Sequence, residues 1–451
     1  MDVWTDKGMT RAARRWWPIA GGLVGLAVLS ACSLPQADGV EAEIAARGAE
    51  LTPLSQNGGD DAHSAARNGL LLHPGVREAA SRVMASADEV RVQRAALFPA
   101  LGLSFGGGVG DAGRGDPGLE LTGRQLVMDF GNTRRKISAA DIDLQINYIA
   151  FQKGVDAALI EMLEAHDSVR MQGELLDLRR RQLTAMRDLE KLVSERIEAG
   201  ATTAPDLLET RKRVQSAEFL VHDAELSLAE SRDRLARLTG QSKGGVLPEM
   251  RSSCMSPGIA DDIRMAHLAL AKAVLDLEYA ENARQPRIVL SPVARQESGS
   301  GVGLGLNLGV DSDLLQGGAL TARVNAARNA LEGARAGVEA AEREVKLRDQ
   351  KLLRDIAATE RRREMLDRQI DLLTQTRVLY RSQYLDLGTR QLPELLDNEE
   401  EIFNRQAERI EARSALARYR LDCAAGDRSL RTAIGIGEFS LYGYPLSPDD
   451  I

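Results

Sequence analysis

Gly200–Leu208 reads GATTAPDLL and Gly388–Leu396 reads GTRQLPELL, each copy flanked by many turns of helix-forming sequence. In both, a Gly is followed five residues on by Pro, then by a carboxylate, then by Leu-Leu. Gly takes the left-handed conformation that ends a helix, and Pro fits the opening turn of the next, where no amide hydrogen is required. Each copy therefore predicts the tip of a helical hairpin.

The duplication extends far upstream of the tips. Phe130-Gly131-Asn132 and Gln316-Gly317-Gly318 each end an apolar, strand-like segment, and Pro99 and Pro286 open two strand regions. The spacings agree: 286 − 99 = 187, 317 − 131 = 186, 388 − 200 = 188 and 393 − 205 = 188. Two halves share one plan of helix, strand pair, long helix, tip and returning helix. The long helices are bounded by 200 − 131 = 69 and 388 − 317 = 71 residues, a reach of about 100 Å at the α-helical rise. Shorter helices are expected at about 74–96 and 262–284.

Between Gly301 and Asp311 the alternation is unbroken, with Val302, Leu304, Leu306, Leu308 and Val310 on one face and Gly, Asn or Asp on the other. Leu101, Leu103 and Phe105 alternate with Gly102, Ser104 and Gly106 in the first half. Leu119 to Phe130 and Ile288 to Ala294 supply partners, the latter interrupted by Pro292. Four strands in two hairpins result, each near the roughly 9 to 11 residues that cross a bilayer when tilted. A hairpin packed on its own helices would alternate too, but no other element is available to cover this sheet. Four strands cannot close a barrel, so the barrel must be shared between chains. The girdle of Trp and Tyr common in such barrels is missing.

The helices carry a coiled-coil seam. Val214, Ala217, Val221, Ala224, Leu228, Ser231, Leu235 and Leu238 alternate steps of three and four, as do Phe403 to Ala424 and Val324 to Val345. Ala and Ser at many seam sites allow close approach. The fold class is thus mostly α with a small β part. Residues 70–240 form the first repeat and 259–426 the second, joined by a Gly- and Pro-containing linker at 241–258. Residues 32–69 read as an extended tether and 427–451 as a loosely ordered tail.

Lys7, Arg11, Arg14 and Arg15 precede a short apolar run ending in Leu29-Ser30-Ala31-Cys32. This reads as a signal peptide over 1–31 and resembles a bacterial lipobox, with cleavage before Cys32 and lipidation there. By analogy, Ser33 after it rather than Asp suggests outer-membrane sorting. Without residues 1–31 the net charge moves from −8 to −8 − 2 = −10, which argues against nucleic-acid binding. Cys254 and Cys423 then remain, in a compartment that permits disulfides, and are expected to pair. The five His are scattered singly, and no phosphate loop or nucleophile elbow appears. No enzyme, metal or cofactor is expected.

A duplicated unit of this plan behind a lipoprotein signal resembles the TolC family of outer-membrane efflux proteins, over about residues 70 to 435. The most specific part is Gly388-Thr389-Arg390 followed by Pro393-Glu394-Leu395-Leu396-Asp397, similar to the family's periplasmic tip motif. The resemblance implies a homotrimer in outer-membrane lipid. Its twelve strands would form one barrel, continued by a periplasmic α-barrel of twelve helices. It also implies a passive exit duct for efflux or type I secretion, docked to a periplasmic adaptor and an inner-membrane pump. The tips are then expected to bind the adaptor through Gly200, Ala201, Leu207, Leu208, Gly388, Leu395 and Leu396. Glu394 and Asp397, three apart in an opening turn, share a face. With Asp206 at the matching place of the first tip and Arg390, which resembles the family's tip Arg, they are expected to ring the aperture. Pro205 and Pro393 depart from the family's usual residues. A pore-less, lipid-anchored coiled-coil scaffold is the alternative, and the clean Val302–Val310 strand is what such a scaffold does not need.

Overall fold

The computed structural model describes residues 39–106, 109–110, 113–114, 118–250, 254, 260–297, 301–312 and 317–447. The expected signal segment, Cys32, Gln316 and residues 448–451 lie outside them. Nine α-helices are described: α1 (Val40–Glu50), α2 (Ala62–Leu72), α3 (Pro74–Ala95), α4 (Asn132–Glu198), α5 (Ala204–Thr239), α6 (Asp261–Glu281), α7 (Ala319–Ser382), α8 (Leu392–Gly426) and α9 (Leu430–Ala433). The strands are β1 (Thr52–Pro53), β2 (Ala100–Gly106), β3 (Val109–Gly110), β4 (Gly113–Arg114), β5 (Gly118–Met128), β6 (Arg287–Glu297), β7 (Val302–Asp311), β8 (Phe439–Leu441) and β9 (Tyr444–Pro445). The fold is mostly helical with a small β part. No described helix is long and apolar enough to cross a membrane.

The chain divides into two units. The first comprises Met1–Glu41, Ala85–Leu144 and Leu270–Ala334 and holds an antiparallel sheet of order β2-β5-β6-β7. The register sets Leu103 opposite Leu121, Leu304 opposite Ala294 and Leu308 opposite Leu290, so apolar side chains of neighbouring strands share one face. That face is bare: Leu103, Phe105, Leu304, Leu306 and Leu308 are all exposed, Leu304 by 83%. The other face carries Gly, Ser and Asn with an Arg295–Glu120 ion pair of 3.0 Å. Pro292 sits in an inner strand, where a missing amide hydrogen would break the ladder. It pairs with Leu306 of β7, but between Thr122–Val293 and Gln125–Leu290 the β5 ladder skips two residues. Gly123 lies opposite, and a Cβ there would fall 2.6 Å from the proline ring.

At the foot of β5 the chain turns into α4 through Phe130 (φ 54°) and Gly131 (φ 84°). Asp129 closes the turn by accepting from the amides of Gly131 at 3.1 Å and Thr133 at 2.6 Å. Gly317 and Gly318 also take positive φ, 55° and 85°, ahead of α7. Gly39 lies against the Arg94 guanidinium at the end of α3.

The second unit comprises Ala42–Met84, Gln145–Ala269 and Arg335–Ile451. Here α4 packs on α5 through Ala165, Val169, Leu176, Ala224, Leu228 and Leu235, and on α8 through Leu178, Phe403 and Ala407. The seam positions Val214, Ala217, Ser414, Leu421 and Ala424 are buried. Outside the seam run exposed pairs such as Arg187–Glu218 at 2.7 Å and Arg409–Asp367 at 3.1 Å, each worth at most about 1 kcal/mol.

Two expectations need correction. The extended tether is a helix from Val40, with Ile44 buried, then β1, then α2 from Ala62. The loose tail is ordered through residue 447, with Leu430, Ile434, Ile436, Leu441 and Leu446 buried. The two corrections have one cause. Thr52 pairs in parallel with Phe439, and β8 pairs in turn with β9, so each terminal segment supplies what the other lacks. The tail is locked further by Arg431, which is 0% exposed. Its Nε lies 3.1 Å from Asp156 of α4 and its Nη1 donates to the Leu446 carbonyl at 3.1 Å.

Candidate functional site at the helical tips

At the first tip α4 ends in a left-handed Gly200, φ 71°. The Ala201 amide reaches back to the Arg196 carbonyl at 2.8 Å, and that of Gly200 to Ile197 at 2.9 Å, the crossed bonds that close a helix end. The next helix is capped from within. Asp206 accepts from the Thr203 amide at 3.2 Å and from the hydroxyls of Thr203 at 3.0 Å and Thr202 at 2.5 Å. The Thr202 hydroxyl chiefly, with the Thr203 amide and hydroxyl, holds its carboxyl below the usual carboxylate range. Asp206 is therefore engaged as a helix cap, through Oδ2.

The second tip has the same outline but other chemistry. After α7 the chain makes a π-helical turn, Gln383–Leu387, then a left-handed Gly388 at φ 61°. The Thr389 amide closes on the Gln383 carbonyl at 3.1 Å. α8 opens at Leu392 behind Gln391, whose side chain makes no capping bond.

The apolar pairs are not equivalent. Leu208 is 65% exposed and Leu207 half-buried, but Leu395 and Leu396 are 1% and 0% exposed. That corrects the expectation that Leu395 and Leu396 are presented to a partner. They pack in a cluster with Met186, Leu189 and Val193 of α4, Val214 and Ala217 of α5, Tyr384 and Leu392. The reason is position: α8 has neighbours on more than one side, while Leu208 of α5 faces outward. The exposed apolar residue of the second tip is Leu387, at 66%. The motif comparison passed over it because it lies before the Gly.

The two acids of the second tip meet different arginines. Glu394 lies 2.9 Å from Arg390 of its own hairpin, and Arg390 stacks over Tyr380 with 3.7 Å to the ring centroid. Asp397 instead lies 2.9 Å from Arg213 of α5, which also reaches Glu400. Arg213, and Arg196 beside Tyr384, carry no motif signal. A lone Arg on a helix full of Arg and Glu reads as solvated surface, and only the packing of two hairpins selects it.

Cys254 and Cys423 form a disulfide with Cα atoms 4.6 Å apart and a sequence separation of 169. It ties the linker to the last turns of α8. A closed loop of that size stabilises the chain by about 5 kcal/mol on the chain-entropy account. Thiol titration of the denatured, unreduced mature protein is expected to find no free thiol, rising to two after reduction. Two thiols before reduction would contradict the bond. Among the described residues no cluster of His, Cys, Asp and Glu could hold a metal ion.

Residues 67–241 match the family model for outer membrane efflux protein. The chain is 25% identical over 382 residues to nodulation protein T of Rhizobium leguminosarum bv. viciae, covering 78% of each chain. Its fold is similar to that of the outer membrane protein VceC from Vibrio cholerae, with TM-score 0.73 and 16% identity over 83% of this chain and 96% of that one. It is likewise similar to the CmeC outer membrane channel of Campylobacter jejuni, with TM-score 0.70 and 14% identity over 93% and 96%.

Proposed function

We propose that this chain is an outer membrane efflux protein of the TolC kind, a reading supported by the family match over residues 67–241 and by the shared fold, and that three copies make one passive exit duct. The duct would serve a tripartite efflux or type I secretion system, reaching through the periplasm to an adaptor and an inner-membrane pump. The observation that carries the trimer is the sheet. One face is apolar and bare, and each of its outer strands, β2 and β7, is paired on one side only. An open sheet in lipid leaves backbone groups unpaired, and three copies of four strands close the edges. The helices support the same arrangement. Phe219 and Leu226 of α5 are exposed one heptad apart, as are Met365, Leu372 and Leu379 of α7, and such unfilled seams on different helices suit a head-to-tail ring.

Lipid anchoring through Cys32 fits this placement. Six residues lie between Cys32 and Gly39, seven steps of chain that span up to about 25 Å, and Gly39 lies beside Arg94, a few residues before β2. A heat-modifiable trimer with stepwise single-channel conductance tests the duct. A stable trimer without conductance would favour the scaffold.

The adaptor would meet the exposed parts of the tips, which are Gly200, Ala201, Leu208, Gly388 and Leu387. Replacing Gly200 and Gly388 by Trp puts a bulky side chain where φ is positive, at a strain of about 1 kcal/mol each. Adaptor crosslinking is expected to disappear while the trimer persists. Leu208→Asp with Leu387→Asp should do the same, and crosslinking that survives both pairs would rule out docking at this surface.

A further inference from the structure

The polar face of the sheet β2-β5-β6-β7 can be followed row by row, because the register fixes which side chains stand level. Near the far end of β6, Arg295 pairs with Glu120 at 3.0 Å, and Ser104 and Gly303 complete that row. At the foot of the sheet Arg287 stands opposite Asp311. Between these two rows lies Arg124, exposed and level with Ala100 of β2. On its other side the pairs Thr122–Val293 and Gln125–Leu290 bracket two residues of each strand, which sets Arg124 level with Ser291, itself opposite Asn307. The row therefore reads Ala100, Arg124, Ser291, Asn307, and contains no acid. The rows next to it hold Gly102, Thr122, Val293 and Gly305 on one side and Leu126, Val289 and Gly309 on the other, again with no acid. Both opposite-charge pairs lie four residues away along the strands (124 − 120 and 291 − 287), roughly 13 Å at the strand rise. Among the described residues Arg124 has no carboxylate partner.

An ionisable side chain within a membrane strand is costly unless it faces water. Gly102, Gly305 and Gly309 put no side chains around the Arg124 guanidinium, which is left bare on the polar face. We propose that Arg124, in three copies per trimer, forms a basic ring partway along the barrel lumen and favours the passage of anionic molecules, those bearing carboxylate, sulfonate or phosphate groups. This rests on the trimeric duct proposed above, with the apolar face toward lipid and the polar face toward the lumen. The ring acts by its field and not by a fitted pocket. Low-dielectric walls concentrate the field of a fixed charge across an aqueous passage, and rings of Arg admit anions in other pores. Arg295 and Arg287 add little, because each stands beside a carboxylate. Salt limits the reach of the ring: the Debye length is about 30 Å at 0.01 M and about 3 Å at 1 M. A trivalent anion feels the same potential three times as strongly as a monovalent one.

Tripolyphosphate, added to the extracellular side in planar bilayers, tests the ring. It should block the wild-type trimer at about 0.01 M salt and lose its effect at about 1 M. Arg124→Ser should weaken the block more than about tenfold, whereas Arg124→Lys, which keeps the charge, should stay within about threefold of wild type. Ser291→Asp leaves Arg124 in place and sets a carboxylate level with it, so it should weaken the block as Arg124→Ser does. It also carries the test should the serine variant fail to assemble. Reversal potentials in a salt gradient should move toward cation preference in these same two variants. Equal block in wild type and in the two neutralising variants would overturn the proposal. So would equal loss in Arg124→Lys and Arg124→Ser, since the side chain would then act by shape and not by charge. A wild-type trimer that conducts nothing would instead refute the duct, and the ring with it.

Discussion

Arg431→Met is expected to be among the most destabilising single changes in the periplasmic part, by about 3 to 5 kcal/mol at neutral pH. The substitution keeps an apolar stem but strands Asp156 as a buried charge without its counter-ion. Burial already holds the Asp156 carboxyl up to about 6, with Arg431 opposing the rise, Asp261 adding to it and Arg428 drawing it down. The sign follows from linkage. Between the ordinary carboxylate value and about 6, the folded chain keeps a proton that the unfolded chain has lost, so stability falls as pH rises through that window and is level above it. Without Arg431 the folded value climbs further and the fall extends past neutrality. Thermal unfolding of the detergent-solubilised protein should therefore show a large deficit at pH 7.5 that shrinks at pH 5. A variant melting with wild type at pH 7.5, or a deficit indifferent to acid, would show that the pair does not hold the terminal segment down.

Leu306→Arg should abolish outer-membrane assembly, whereas Asn307→Arg, one residue along the same strand, should not. Leu306 stands on the bare apolar face, opposite Pro292, and Asn307 on the polar face, opposite Ser291. An Arg at mid-membrane on the lipid face costs about 2 to 4 kcal/mol, and a trimer bears it three times. Trimer recovered from outer membranes should fall more than about tenfold for Leu306→Arg. Asn307→Arg should accumulate normally and shift conductance and ion preference instead. Equal behaviour of the two would mean that the faces are not divided between lipid and water.

What could be read in the sequence was whatever repeats over a short distance. The two Gly-to-Leu-Leu copies located both tips, the Val302–Val310 alternation located β7, and the three-four rhythm of Val214 to Leu238 named residues that the helix seam buries. What escaped depends on partners far along the chain. Thr52 has no strand signal until it meets Phe439, and Arg431 looks like a surface residue until Asp156 lies beside it. The tip residues divide in the same way. Leu208 and Leu396 sit in matching local sequence, yet one is exposed and the other enclosed, because the repeats are alike in chain but not in neighbours. Arg196 and Arg213 were invisible for that reason, and spacing alone could not show which arginine Glu394 and Asp397 would each meet.

The bond between Cys254 and Cys423 also changes what the polypeptide is as a connected object. Everything from the linker through β6, β7, the second tip and α8 lies inside one covalent ring, while the first tip hangs on an open strand of chain. A single cut by a protease at the first tip yields two separable pieces, whereas the same cut at Gly388 leaves every residue tethered until the bond is reduced. The two halves, built to one plan, thus differ in what damage they survive, and the half that carries the Arg390 tip is the one that can be nicked without being lost.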